Sequence, residues 1–332
     1  MKIRIQISII LFVFFSLLLF LNNRYPFYQN INGAWSIGYN IVTEIDEALE
    51  INNNNMIIAK DLEPIKKSRF LADPFFTIIN DTLFIFVENQ EYKGGANIDL
   101  FTKINDSISY EGTVLDEKFH LSYPQVFSYD NQIFMLPETK RANNVLLYKA
   151  IDFPHKWTIK DTLIKNVQLA DPTILITENK HILFTCDDNL ELFMYCSDNL
   201  FSNWSECNNY KKKFGNEVRP GGRVIKKDNK FFIPMQNMDK AYGTSITLYE
   251  ILISDDYIDI VKTKENFLSP KIGHKYFNSA THHIDLQYNE NKYLYFYDGQ
   301  PLIEKKLNIK RSLILIYLDI KSILNDLFNY KN

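Results

Sequence analysis

The chain has 332 residues, enough for one large domain or two ordinary ones, and 46% hydrophobic against 23% charged residues is the balance of a globular protein with a full core. Net charge is −3 with no basic block, which excludes nucleic acid as an expected partner. Three cysteines (Cys186, Cys196, Cys207), without metal-type spacing, exclude a disulfide scaffold and leave room for one bridge.

Residues 1–24 open with Lys2 and Arg4 and continue as an apolar run from Ile7 to Leu21. Such a run is long for a signal-peptide core and short for a comfortable span, and no small-x-small cleavage site follows it. The expectation for 1–24 is an uncleaved signal anchor, with a cleaved signal peptide as the alternative. Either places the remainder outside the cytoplasm, and residues 7–21 are the expected membrane contact. Residues 25–68 read as a linker carrying an extra strand, "AWSIGYNIV" (34–42), which could complete a last blade and close a ring.

From residue 69 one plan recurs. "LADPFFTIINDTLFIFVE" begins at 71, "LSYPQVFSYDNQIFMLPE" at 121 and "LADPTILITENKHILFTC" at 169. "VRPGGRVIKKDNKFFIPMQ" begins at 218 and "THHIDLQYNENKYLYFYD" at 281. Each is a strand, a polar turn and a second strand. "VLLYKAIDFPHKW" (145–157) and "LELFMYCSDNLFSNW" (190–204) add a third strand, a turn and a closing Trp. Aromatic residues reach 14%, which favours strands. A period near 49 residues, repeated five times, predicts an all-β, five-bladed β-propeller over 69–320 rather than a two-sheet sandwich. Trp157 and Trp204, matched by the repeat, are expected between blades, and 321–332 as a short C-terminal helix or tail.

Innermost strands of a propeller converge on one channel, so residues that begin them should meet there. Those are Asp73, the His120–Tyr123 segment, Asp171, Arg219 and Arg223 of "RPGGR", and the His282–His283 pair. Pro beside them has a structural reason, since it sits at strand starts, edges or bulges. Asp before Pro also favours turn initiation, so strand punctuation competes with chemistry at both "LADP" copies. Glu88 and Glu138 close the apolar second strands "FIFVE" and "FMLPE". Paired carboxylates suit glycosidic chemistry or acceptance of hydrogen bonds from sugar hydroxyls. Arg and His suit hydroxyls, carboxylates or phosphates. Adjacent histidines on a strand would face opposite ways, one lining the channel and one packing between blades. No cofactor is expected, and a channel ion is left open.

These segments, "HLSYP…PET" most specifically, resemble the N-terminal domain of plant glucosamine inositolphosphorylceramide transferases and its stand-alone bacterial relatives, over about residues 34–300. That domain is similar to the five-bladed propellers of arabinanases, β-xylosidases, levansucrases and invertases. The resemblance implies that Asp73 matches their base or nucleophile and Asp171 their modulating aspartate. Their acid, in a Glu-x-Pro on the fourth blade, is replaced here by Val218-Arg219-Pro220, with Glu217 one residue early. A one-residue offset turns a strand side chain to the other face. Glu138, or Glu88, would then have to serve as acid. Transferase chemistry in the plant enzymes belongs to a separate domain and is not expected of this chain. Binding of a carbohydrate or glycoconjugate is the expected function, with glycoside hydrolysis through Asp73, Asp171 and Glu138 as the alternative.

Overall fold

Short polar pairs set the hairpins. The computed structural model describes residues 2–45, 47–62, 66–178, 180–254 and 257–329. In it Asn80 and Asp81, Asp130 and Asn131, Asp228 and Asn229, and Glu290 and Asn291 all hold positive φ. Two-residue loops with both residues left-handed match the twist of the flanking strands, and Asn and Asp tolerate that backbone well.

The chain begins with helix α1 (Lys2–Arg24), then β1 (Tyr28–Asn32), β2 (Ser36–Val42) and β3 (Met56–Ile57). The first blade is β4 (Ser68–Ile79), β5 (Thr82–Glu91), β6 (Ala96–Ile104) and β7 (Ser107–Leu115). The second is β8 (Ser122–Tyr129), β9 (Gln132–Glu138), β10 (Asn144–Asp152) and β11 (Lys156–Lys165). The third is β12 (Ala170–Ile176), β13 (His181–Cys186), β14 (Leu192–Ser197) and β15 (Ser205–Glu206). The fourth is β16 (Ile225–Lys227), β17 (Lys230–Asn237), β18 (Ser245–Ile253) and β19 (Ile258–Leu268). In the fifth, β20 (Ile284–Asn289) and β21 (Lys292–Gly299) are completed by β2 and β3, with β2 paired to β21 from Ser36↔Gly299 to Val42↔Tyr293. Both ends of the chain thus build one blade, and the ring closes as the 34–42 strand suggests.

The core is a ring of interblade clusters. Phe86 and Ile98 of blade one meet Met135 and Tyr148 of blade two, and Leu136 and Leu147 meet Ile174 and Leu183 of blade three. Phe184 meets Ile233, Ile225 joins Tyr297, and Phe296 joins Phe76 back at blade one. Strands covered on both faces need no polar alternation, which is why "LFIFV" and "IFML" read as apolar runs. Trp157 and Trp204 pack in the first two of these clusters, as the repeat implies.

The C-terminal boundary differs from expectation. After β22 (Leu302–Leu307), which pairs with β1 outside the ring, helix α2 runs over Ile309–Asn329, so the propeller does not extend to 320 and the helix does not start at 321. Residues 330–332 of the expected tail lie outside the described residues. "SLILIYLDI" is β-branched, aromatic and apolar, which favours strand by propensity, although over the whole helix Arg311, Asp319, Ser322 and Asn325 share one polar face.

Candidate active site at the propeller axis

Three inner strands carry the same distortion. Register slips between Ala72 and Phe75, between Ser122 and Gln125, and between Ala170 and Thr173. Asp73-Pro74, Tyr123-Pro124 and Asp171-Pro172 therefore stand out of the ladder as bulges. Asp73, Tyr123 and Asp171 have φ of 50°, 50° and 48°. A non-glycine residue held there costs about 1–3 kcal/mol and persists only where its surroundings fix it. Pro, lacking an N–H, loses nothing at a bulge. Pro74 is consequently not at the start of its strand, which begins at Ser68.

The fixing partners come from neighbouring blades. The Asp73 N–H donates to Asp298 Oδ2 at 3.1 Å, and Asp73 Oδ2 accepts the Tyr123 N–H at 3.1 Å. The Asp171 N–H donates to Glu138 Oε2 at 3.1 Å. Arg219 grips Asp171 with two nitrogens, Nε to Oδ2 at 2.5 Å and Nη2 to Oδ1 at 3.1 Å, and reaches Glu138 Oε2 at 3.5 Å. Gln236 Nε2 donates to Asp171 Oδ2 at 2.6 Å. His282 Nε2 lies 3.4 Å from Asp73 Oδ1 and its Nδ1 lies 2.8 Å from Asp298 Oδ2, with Trp35 stacked on the ring at 4.0 Å. Asp73, His282 and Asp298 offer ligand atoms within 4.8 Å of one another, a set able to hold a hard divalent cation.

Burial divides the carboxyls into two protonation classes. Burial pushes Asp73 up to about 7, against the pull of His282. Burial, reinforced by Asp171, pushes Glu138 up to about 8, and burial with Asp73 nearby raises Glu88 well above the usual range. Burial opposes ionisation of Asp171 too, but the Arg219 guanidinium outweighs it and holds Asp171 below its ordinary value. Asp298 is likewise held down, by His282, against its own burial. His282 is raised because Asp298 and Asp73 overcome its burial. The pit thus places proton-holding carboxyls beside ionised ones.

Asp73, Asp171, Glu88, Glu138, Arg219 and His282 form this one cluster. His120 is at its rim: its Nδ1 accepts the Ala96 N–H at 3.2 Å and its Nε2 lies 3.4 Å from Glu88 Oε1. Burial, with Arg141 and Arg219 nearby, lowers His120 and keeps it neutral. Tyr123 is fully buried, with its hydroxyl accepting the Gly222 N–H at 2.6 Å and lying 2.6 Å from Thr173 Oγ1. Arg223 is not in the cluster; it sits further along the axis, Nε 2.7 Å from Asp285 Oδ1 and Nη2 3.2 Å from the Phe76 carbonyl. The two histidines also depart from expectation. Residues 281–283 precede β20 and are not extended strand, so both rings turn towards Asp73 Oδ1, at 3.4 and 3.8 Å. His283 is wedged between Phe75 and Tyr123, fully buried, and burial lowers it to about 4. Glu217 is turned away, bonded to Lys262, Thr247, Tyr249 and Asn237, as the one-residue offset requires. Gly222 meets blade five so closely that a Cβ would lie 1.7 Å from the Ile284 carbonyl oxygen.

Sequence reasoning missed Asp298, Gln236, Trp35 and Tyr242. Asp298 and Gln236 lie near the ends of second strands as Glu88 and Glu138 do, and extending that comparison to "FYD" and "IPMQ" would have found them. Trp35 and Tyr242, the latter 4.9 Å from the His282 ring and 5.1 Å from the Arg219 guanidinium, come from connections outside the repeat.

Comparison with known proteins agrees with this architecture. Glucosamine inositolphosphorylceramide transferase 1 of Oryza sativa subsp. japonica is 32% identical over 236 residues, 66% of this chain and 32% of that protein. The Arabidopsis thaliana protein of the same name is 27% identical over 290 residues, 82% of this chain and 36% of that one. The chain therefore spans about a third of the length of these relatives. An α-L-arabinofuranosidase from Clostridium thermocellum superposes with a TM-score of 0.51 at 14% identity, over 70% of this chain and 84% of the other. An exo-β-1,3-galactanase from Phanerochaete chrysosporium does so at 0.50 and 10% identity, over 82% and 69%. Likeness at such identity is one of fold. Residues 32–300, the five-bladed ring without α1, β22 and α2, match the model of glucosamine inositolphosphorylceramide transferase 1, N-terminal, and the chain belongs to that family.

Proposed function

We propose that this chain is an extracytoplasmic, membrane-anchored propeller that binds the carbohydrate part of a glycoconjugate in the pit at its axis. The observation that carries the reading is the grip of Arg219 on Asp171 and Glu138. Val218 takes the position of the resembling hydrolases' acid, and Arg219 beside it is a cation that neutralises one carboxylate and neighbours a protonated carboxyl. The result is a fixed set of donors and acceptors suited to sugar hydroxyls, rimmed by His120 and by Tyr242, whose aromatic face suits a sugar ring. Anchoring is supported by Ile5–Asn22 of α1, apolar and wholly unburied. The Cys196–Cys207 disulfide favours an oxidising compartment, and Cys186 is free and buried.

A second reading, hydrolysis, is favoured by one observation: Glu138 near 8 beside an ionised Asp171 is a pair whose environments separate acid from base. Asp73 would then be base or nucleophile, Asp171 modulator and Glu138 acid. The test is a glycan array probed with the detergent-solubilised full chain, with hydrolysis followed in parallel. On a retained glycan, binding predicts no turnover and an affinity loss of about tenfold to a hundredfold for Asp73→Asn. Hydrolysis predicts turnover abolished in Asp73→Asn and Glu138→Gln with affinity little changed. No retained glycan at all would overturn both.

A further inference from the structure

Helix α2 packs by one face only. Arg311 donates to the Met238 carbonyl, Ser312 Oγ donates to the Pro26 carbonyl at 2.9 Å, and Leu315 and Leu318 are buried. Lys321 Nζ lies 3.5 Å from Glu191 Oε2 and above the Phe214 ring. Along the other side Leu313, Tyr317, Ile320, Leu324 and Leu327 are 46–63% exposed. Their three- and four-residue spacing makes one continuous apolar stripe, and a stripe of that extent in water marks a binding surface.

Three observations say what covers it. First, α1 leaves the fold beside α2: Tyr25 Oη donates to Asp319 Oδ2 at 2.8 Å, and the Asn308 N–H donates to the Phe27 carbonyl at 2.7 Å. Second, the stripe carries no acid, and Lys310 stands at its N-terminal end, the charge pattern suited to a bilayer interface. Third, α2 and β1, the strand that follows α1, abut the connection between β17 and β18, which forms part of the rim. Met238 there accepts from Arg311, and Lys240 accepts the Asn30 N–H at 3.4 Å. Tyr242 of the same connection covers His282 and Arg219. Trp35, stacked on His282, lies just after β1 on the path from α1.

We infer that α2 lies flat in the interface of the membrane that α1 enters, its stripe in the acyl boundary, and so holds the mouth of the pit against the lipid headgroups. Resting on the carbohydrate and anchor readings above, this narrows the ligand to a glycan carried on a lipid headgroup rather than a free oligosaccharide. A bilayer is favoured over a second copy of the chain because the neighbouring α1 is itself a membrane-spanning candidate.

The test uses the full chain in phosphatidylcholine–phosphatidylglycerol vesicles doped with a nickel-chelating lipid. With Cys186 buried and the other two cysteines paired, one introduced cysteine takes a spin label. Labels at 313, 317, 320 and 324 are expected to relax more with oxygen than with a water-soluble nickel complex. A label at exposed Lys240 should be relaxed by headgroup nickel, and one at Asp228, in the hairpin at the opposite end of the blade, should not. Adding Leu313→Glu, Tyr317→Glu and Leu324→Glu should bring the Lys240 signal down to the Asp228 level while α1 keeps the protein on the vesicles. Aqueous α2 labels, spin–spin broadening between copies, or equal nickel relaxation at 228 and 240 would overturn the inference. None of these readouts needs a glycan, so the outcome is independent of the array. A vesicle-bound protein that prefers free oligosaccharide over the same glycan on lipid would overturn the ligand class alone.

Discussion

Arg219→Met removes the cation shared by Asp171 and Glu138 and keeps the apolar stem. Asp171 is 2% exposed and the Arg219 side chain 21%. Removing one partner of a fully buried pair costs about 3–5 kcal/mol; because the guanidinium reaches partway to solvent, about 2–4 kcal/mol is expected here. For the ring over residues 32–300 that is a fall of about 4–7 °C in Tm. The pH dependence discriminates the cause. In the wild type Asp171 is depressed by Arg219, so its contribution is present above the ordinary carboxylate value and lost as pH falls through the depressed one. In the variant burial is opposed only by the weaker pull of Glu138 and His282, the carboxyl rises, and acidification lets the folded state take up a proton. The wild-type advantage should therefore be large at about pH 7.5 and shrink by about pH 5. Urea and thermal unfolding of both proteins in one detergent at the two pH values measure it. A deficit that is equal at both, or larger in acid, would refute the assignment of Asp171 as the ionised member.

Wild-type stability should fall as pH rises from about 6.5 to about 8, read by urea midpoint. Asp73 near 7, Glu138 near 8 and a raised His282 all contribute stability that is full below their ordinary values and lost through their folded ones. His283, lowered to about 4, works in the opposite direction, but its loss runs from 6.5 downward. Gly222→Ala should cost at least about 3 kcal/mol, visible as loss of folded protein on expression, since the new methyl meets the Ile284 carbonyl at a positive φ of 147°. Reducing the Cys196–Cys207 bridge, sequence separation 11, should cost about 2–3 kcal/mol, seen as a reductant-dependent drop in Tm that Cys186→Ala does not reproduce.

The ring was legible because its signals are local and repeated. Asn-Asp and Asp-Asn pairs mark the hairpins, Pro marks the inner bulges, and strands buried on both faces spell uninterrupted apolar runs. Elements used once left no such trace. Helix α2 hides its period because its central "SLILIYLDI" is β-branched and almost wholly apolar, and the 281–283 segment reads as strand although it only leads into one. Trp35 and Tyr242 reach His282 from connections whose path follows from ring closure and not from nearby sequence. Arg223 shares "RPGGR" with Arg219, but the Gly221-Gly222 irregularity between them carries it to Asp285.

The bulges give each of these positions a structural duty apart from any chemistry. A left-handed residue before Pro leaves its own N–H unpaired in the ladder, and a carboxylate from the preceding blade takes it: Asp298 for Asp73, Asp73 for Tyr123, Glu138 for Asp171. An unmet buried N–H costs about 1–3 kcal/mol, comparable with the backbone strain it accompanies. The site carboxyls are therefore also latches between blades, and truncating any of them loosens the ring as well as the pit. Asp73→Ala or Glu138→Ala would confound function with folding. Asp73→Asn and Glu138→Gln keep an acceptor oxygen for the next N–H while removing ionisation, so only they separate what the group does for a ligand from what it does for the propeller. If even these amide variants unfold, the charge and not the acceptor holds the bulge, and Asp73 belongs to the architecture before it belongs to any reaction.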